Sequence, residues 1–128
     1  MNKEEKQNIR LKIWKELKKV ALPDSRFHFN FEEYIPDFVD SSFAHKQIYN
    51  NEIYKNSQIL FVTPDNCLTS FREQVIRDKK DMIVSTYGIY RGFILLKNEM
   101  VDKGNEIFAS TLDGLEHFGT KINPPLNV

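Results

Sequence analysis

The sequence predicts a single α/β domain in which a mostly parallel sheet is flanked by helices. Two short apolar runs, QILFVTPDN and MIVSTY, end in turn residues and are typical of buried strands. Apolar residues at helical spacing lie between them, and a strand, a helix and a strand joined by short connections place the two strands parallel. With 128 residues, the chain is long enough for one domain with one hydrophobic core.

The first predicted helix covers residues 3–20 and stops before Pro23. Its apolar residues fall within an arc of about 80° when each residue advances by about 100°, so we expect this face to be buried. These residues are Ile9, Ile13, Leu17 and Val20. A second helix is predicted to begin with a cap at Ser41 or Ser42 and to continue through Tyr54.

The two strands of the parallel pair are predicted at residues 59–63 and 82–87. The helix between them begins after a cap at Asp65 or Asn66. Its core positions are Leu68, Phe71, Val75 and Ile76. A third strand is expected at residues 92–96, after a turn that contains glycines.

The last predicted helix ends at Gly119. Its core positions are Phe108, Leu112, Leu115 and Phe118. Residues 120–128 are expected to form an irregular tail, because Pro124 and Pro125 do not fit regular structure.

Composition limits the function classes. Lys plus Arg and Asp plus Glu both number 18, so no net charge favours nucleic acid or an anionic membrane. No apolar run has the length of a signal peptide or a membrane span. The single cysteine, Cys67, excludes an intrachain disulfide, and the three histidines lie in different elements without metal-ligand spacing. We therefore expect a soluble cytoplasmic protein with no metal site and with no nucleic-acid or membrane partner.

The carboxyl ends of the predicted strands are the first places to look for a ligand site. Residues 63–66 follow one strand and residues 87–91 follow the next. The alternative is that Pro64, Asp65 and Asn66 form only an ordinary turn with a capping residue.

Lys6 and Arg10 lie at about 60° and 100° from Ile9, on the edge of the apolar face of the first helix. Two cations one turn apart beside a buried face favour an anionic partner such as a phosphate or carboxylate. The alternative is that both side chains extend past the edge of the apolar face into solvent.

The segment Lys6-Gln7-Asn8-Ile9-Arg10 resembles the Lys-x-x-x-Arg that opens the first helix of the 5-formyltetrahydrofolate cyclo-ligase family, also called methenyltetrahydrofolate synthetases. Residues 13–38, 58–96 and 108–119 resemble, in order, segments of a cyclo-ligase-like subgroup of that family. Together the matches cover most of the chain.

The resemblance implies a Rossmann-like α/β domain that uses ATP and Mg²⁺ to convert 5-formyltetrahydrofolate to 5,10-methenyltetrahydrofolate. It implies that Lys6 and Arg10 contact the nucleotide phosphates, since phosphoryl transfer depends on fixed cations. It also implies that Asp65 and Asn66 lie near the place where the family holds the folate.

The connection between the first two helices, PDSRFHFNFEEYIPDF, is long and rich in aromatic residues. A segment of this length without regular structure is usually functional or tied to the body of the domain. We expect Arg26 and His28 to contact an anionic or pterin-like ligand. Four aromatic residues are expected to anchor the segment and wall the cleft: Phe27, Phe29, Phe31 and Tyr34.

The chain also departs from the family pattern. It lacks the glycine-rich Gly-x-Gly-x-Gly-Tyr-Tyr-Asp type motif that completes the family's ATP and magnesium site. After residue 100 its glycines are Gly104, Gly114 and Gly119, spaced as a loop, a helix interior and a helix cap. We therefore expect the N-terminal part of a cyclo-ligase-like protein, truncated relative to the family and incomplete as an enzyme. A homo-oligomer, or a partner chain that supplies the missing half, stays open, as does a non-catalytic ligand-binding or assembly module.

Overall fold

The computed structural model describes residues 1–22, 35–85 and 92–122. The helices are α1 (Lys3–Val20), α2 (Ser41–Tyr49), α3 (Glu52–Asn56), α4 (Thr69–Arg77), α5 (Glu106–Ala109) and α6 (Leu112–Phe118). The strands are β1 (Ile59–Val62), β2 (Asp81–Ser85), β3 (Phe93–Leu96) and β4 (Thr120–Ile122). Within the described ranges, no helix combines the length and the apolar composition needed to span a bilayer.

The four strands form one sheet in the order β1-β2-β3-β4. β1 and β2 are parallel and are connected through α4, which confirms the predicted strand–helix–strand unit. β3 runs antiparallel to β2, and β4 antiparallel to β3, so the sheet is mixed rather than mostly parallel. The reason is the short connection over residues 86–92, because a parallel crossover needs about a dozen residues or more.

The expectation of an irregular tail from residue 120 is wrong for its first three residues. Thr120, Lys121 and Ile122 form β4 and pair with β3. Two of these three residues are polar, so neither an apolar run nor a strict alternation marks the strand in the sequence. Residues 123–128, with both prolines, lie outside the described residues.

Two predicted helices are each divided into two shorter ones. The helix predicted from Ser41 to Tyr54 breaks at Asn50 and Asn51, where the Asn51 side chain accepts a hydrogen bond from Ile53 N at 2.8 Å. The N-cap position of α2 is Asp40 rather than a serine. The last predicted helix breaks in the same way before α6, because the Thr111 hydroxyl accepts from Gly114 N. Capping side chains inside an apolar period thus start a new helix.

The hydrophobic core lies on one face of the sheet. Side chains of β2 and β3 on that face, such as Met82 and Leu96, are at most 2% exposed. They pack with residues of α4 and α6, including Val75 and Leu115. The predicted core positions Phe71, Val75, Ile76 and Leu115 are confirmed as buried.

The opposite face of the sheet, here named the open sheet face, is mostly apolar. Its apolar residues are Ile59, Phe61, Ile83, Phe93, Leu95 and Ile122, and Asp81, Ser85 and Thr120 lie on the same face. Ile59 is 51% exposed and Phe61 is 58% exposed, and the rings of Phe61 and Phe93 meet edge to face at 5.9 Å. Ile83, Phe93 and Leu95 are half-buried and Ser85 is buried, so the exposed apolar part of this face lies mainly on β1.

α1 has the bounds predicted from the sequence, but the expected burial of its apolar face is wrong. None of its residues is buried, and Ile13 is 57% exposed. The helix joins the body at its carboxyl end, where Leu22 N donates to Asp37 O and Val39 N donates to Val20 O. Because the attachment lies at one end, most of the helix projects from the described body.

Candidate functional site

The loop after β1 is a polar site at a strand end, and hydrogen bonds fix its side chains and backbone. The Thr63 hydroxyl donates to Asp65 Oδ2 at 2.6 Å, so the carboxylate is fixed against the strand it follows. Asp65 O accepts from Leu68 N at 3.0 Å, which closes a 3₁₀ turn at Asn66–Leu68. Asp65 is half-buried and Asn66 is exposed. The structure therefore places both predicted folate-side residues at the carboxyl end of a parallel strand.

The side chain of Arg72 holds this loop in place through hydrogen bonds. It is 2% exposed, and its guanidinium donates to three backbone carbonyls and one hydroxyl. The carbonyls are Thr63 O at 2.8 Å, Asp65 O at 3.1 Å and Ser110 O at 2.8 Å. Burial lowers the pKa of Arg72, and the nearby Asp65 carboxylate opposes that shift. A buried cation thus joins the β1 loop to the end of α5.

Sequence reasoning missed Arg72. A signal was present, because Arg72 lies between the core positions Phe71 and Val75 of one amphipathic helix. A charged residue at such a position is rarely buried unless its donors find acceptors.

The predicted cap of the following helix is wrong. Asp65 is the N-cap residue of the 3₁₀ turn but its side chain makes no capping hydrogen bond. α4 begins at Thr69, after that turn. The Asp65 carboxylate is directed to Thr63 instead, which keeps it on the strand end rather than at the helix start.

The two predicted phosphate-binding cations lie elsewhere. Lys6 and Arg10 are exposed on the amino-terminal half of α1, and Arg10 Nη1 donates to Gln7 Oε1 at 3.5 Å. Lys6 is roughly 21 Å along the helix axis from Val20, where the helix joins the body. Among the described residues, the side-chain partner of Arg10 is Gln7 and that of Asp65 is Thr63.

The remaining predicted contacts cannot be placed. Arg26 and His28 belong to residues 23–34, which lie outside the described ranges. The same holds for the expected aromatic wall of that segment, and for the loop predicted at residues 87–91.

A second polar cluster, formed by His45, Cys67 and Ser70, lies next to the start of α4. His45 is 5% exposed; its Nδ1 lies 3.1 Å from Ser70 Oγ, and its ring meets Phe71 edge to face at 5.7 Å. Cys67 is also buried, and burial raises the pKa of its thiol to about 11. A thiol with this pKa is protonated near neutral pH, which argues against a nucleophilic role.

Acid is expected to destabilise the fold through His45. Burial lowers the pKa of His45 from 6.5, while a hydrogen bond with the Cys67 backbone and the Asp37 charge oppose the shift. The unfolded chain therefore takes up this proton first, so the contribution to stability is complete above pH 6.5 and declines as the pH falls toward the folded-state pKa. Urea unfolding across this pH range should show a shallower decline for His45→Gln than for the parent. Parallel profiles would contradict the assignment.

Two of the three glycines after residue 100 are packed tightly against other parts of the chain. A Cβ at Gly114 would lie 1.8 Å from Phe108 O, and one at Gly119 would lie 2.3 Å from Ile94 Cγ2. Gly104 has a φ of +96° in an open turn. Gly114 and Gly119 thus do not form a phosphate cradle. In the same ranges, no group of three His, Cys, Asp or Glu residues could hold a metal ion.

Comparisons with known proteins add no neighbour to this picture. A scan against protein-family models, a search of curated proteins and a search of solved structures each gave no match to the chain.

Proposed function

We propose that this chain is a cytoplasmic cyclo-ligase-like protein that holds a 5-formyltetrahydrofolate-type ligand at the carboxyl end of β1. On this proposal the mixed sheet is a truncated version of the family's Rossmann-like fold. Three ordered sequence resemblances support the proposal, as does the parallel pair of β1 and β2 joined through α4.

The observation that carries the proposal is the fixed carboxylate of Asp65. The pterin ring of a folate presents an amino group and a ring N–H on one edge, and a carboxylate can accept both in a paired arrangement. Thr63 and Arg72 order the loop before any ligand arrives, so little conformational entropy would be lost on binding. We include Asn66, the next residue of the same loop, among the proposed ligand contacts.

The family reaction needs more than this site. It phosphorylates the formyl oxygen with ATP, and the chain offers Lys6 and Arg10 as phosphate contacts on α1. Gly114 and Gly119, which follow them in the described part of the chain, pack against backbone and side chains and form no cradle for the triphosphate. We therefore derive no ATP-dependent step for the chain alone.

The second candidate is a non-catalytic ligand-binding or assembly module that keeps the first half of the fold. The observation that favours it is that Lys6 and Arg10 are exposed on the half of α1 that lies farthest from its attachment at Val20. Only the first candidate would convert 5-formyltetrahydrofolate when the missing part is supplied.

Asp65→Asn is expected to weaken the binding of 5-formyltetrahydrofolate at least tenfold. An amide of the same size keeps one acceptor oxygen but loses the charge and one acceptor, which costs about 1.4 kcal/mol or more. Isothermal titration calorimetry of the parent and the variant measures the change. Asp102→Asn is the matched control, because Asp102 is exposed and precedes α5, away from the β1 end. A folded parent that binds no folate, or equal affinities for parent and Asp65→Asn, would contradict the proposal.

A further inference from the structure

α1 is a long helix whose apolar side is largely exposed. Its 18 residues include none that is buried, and Ile9, Ile13 and Val20 are 43%, 57% and 41% exposed. A helix of this length is marginal in water unless an apolar face packs on something. We name the four residues Ile9, Ile13, Leu17 and Val20 the α1 stripe. Together with Phe38 they line a groove of about 680 Å³ at the surface.

The open sheet face has no helix packed on it among the described residues. Its strand residues present a ridge of aromatic and aliphatic side chains, with Phe61 and Phe93 in ring contact. α/β domains bury such a face under a layer of helices. The chain thus has one helix face without a sheet and one sheet face without a helix among its described residues.

The dimensions of the two faces agree. The α1 stripe runs about 17 Å from Ile9 to Val20 at about 1.5 Å per residue. Four strands about 4.8 Å apart span about 14 Å from the first strand axis to the last. The α1 stripe is therefore about as long as the sheet is wide.

The charges also agree. Seven of the 18 Lys and Arg residues, but three of the 18 Asp and Glu residues, lie in α1. The helix accordingly carries a net charge of +4 and the rest of the chain −4. A basic helix is attracted to an acidic body, and a second copy of this chain provides one.

We propose that two copies of this chain form a two-fold dimer in which α1 of each copy packs its stripe on the open sheet face of the other. This inference goes beyond the proposed folate site and does not depend on it. The same two-fold operation covers both faces of both copies, as an isologous interface requires. An anionic membrane would attract the basic helix but would leave the open sheet face bare.

The two-fold arrangement would bury ten large side chains of the two faces. In each copy Ile9, Ile13, Val20, Ile59 and Phe61 are 41–58% exposed. The half-buried neighbours Leu17, Ile83, Phe93 and Leu95 lie on the same faces. A stable dimer buries about 1,200 Å² or more in total, and we expect this interface to reach the lower end of that range.

Cross-linking between two different single-cysteine chains tests this arrangement. Both chains carry Cys67→Ala; one adds Ile13→Cys on α1 and the other adds Phe61→Cys on the open sheet face. A short flexible bismaleimide should join the two chains in a mixture and should join neither chain to itself. Lys15→Cys replaces Ile13→Cys as the matched control, because Lys15 lies on the opposite side of α1, and it should give no cross-link.

Sedimentation equilibrium provides the second readout. The parent should sediment as a dimer, Ile13→Gln should weaken the dimer at least tenfold, and Lys15→Gln should leave it unchanged. Four results would overturn the proposal. They are a parent that is monomeric at every concentration, a cross-link within one chain carrying both cysteines, a cross-link between two Ile13→Cys chains, and a monomer that binds phosphatidylserine vesicles through α1. Folate binding by a monomer would leave the function proposal standing while this one fails.

Discussion

Arg72→Met is expected to lower the free energy of unfolding by about 3 kcal/mol. Methionine fills a similar volume but donates to none of the three carbonyl oxygens. Asp65 O keeps its hydrogen bond from Leu68 N, whereas Thr63 O and Ser110 O lose the guanidinium, and each buried unpaired group costs about 1–3 kcal/mol. The relief from no longer burying a charge opposes this loss. The loss is larger here, because the acceptors Thr63 O, Asp65 O and Ser110 O remain in place. Urea unfolding followed by circular dichroism measures the change.

Arg77→Met is the matched control for this prediction. Arg77 lies on the same helix, is exposed, and pairs with Glu73 at 2.8 Å on the surface. Such pairs contribute about 0–1 kcal/mol. If the two variants lost similar stability, the buried guanidinium would not be the link between the β1 loop and α5.

Gly114→Ala is expected to cost about 3 kcal/mol or more, or to prevent folding. The new Cβ would lie 1.8 Å from Phe108 O and 2.7 Å from the Cα of Ala109, both of them backbone atoms that a rotamer change cannot move. Relief requires α6 to shift away from α5, which exposes Leu115 and Ala109 from the core. Thermal unfolding of the variant should show a clearly lower midpoint or no cooperative transition.

Glu116→Ala is the comparison for Gly114→Ala, since Glu116 is exposed on the same short helix. It should unfold close to the parent. A Gly114→Ala protein as stable as Glu116→Ala would mean that α5 and α6 do not pack as closely as described.

The sequence predicted the elements whose pattern is local. The apolar runs at β1 and β2 and the spacing of Phe71, Val75 and Ile76 determine strands and a helix without reference to the rest of the chain. β4 was not predicted, because it forms by pairing with β3, a contact that the composition of residues 120–122 does not indicate. The direction of β3 could have been inferred from the short connection before it.

The burial of an amphipathic face cannot be read from periodicity alone. The stripe of α1 and the buried face of α4 have the same spacing, yet the first is exposed and the second forms the core. Periodicity shows that a face needs a partner but does not say which partner covers it.

The candidate site was predicted in part. Asp65 and Asn66 were located by the rule that ligands bind beyond strand ends, and the structure places them at such an end. Arg72, which orders their loop, was missed, because its acceptors are backbone carbonyls distant in sequence. The placement of Lys6 and Arg10 near the same ligand stays a prediction.

The most direct test of the central claim is to incubate the folded chain with 5-formyltetrahydrofolate and MgATP, isolate the protein by gel filtration, and record the absorbance spectrum of the folate that accompanies it. We predict bound 5-formyltetrahydrofolate that is not converted to the methenyl product. Folate that fails to travel with the protein would contradict the binding site at β1. Methenyl product that forms with the parent but not with Lys6→Ala would contradict the claim that the chain is incomplete as an enzyme.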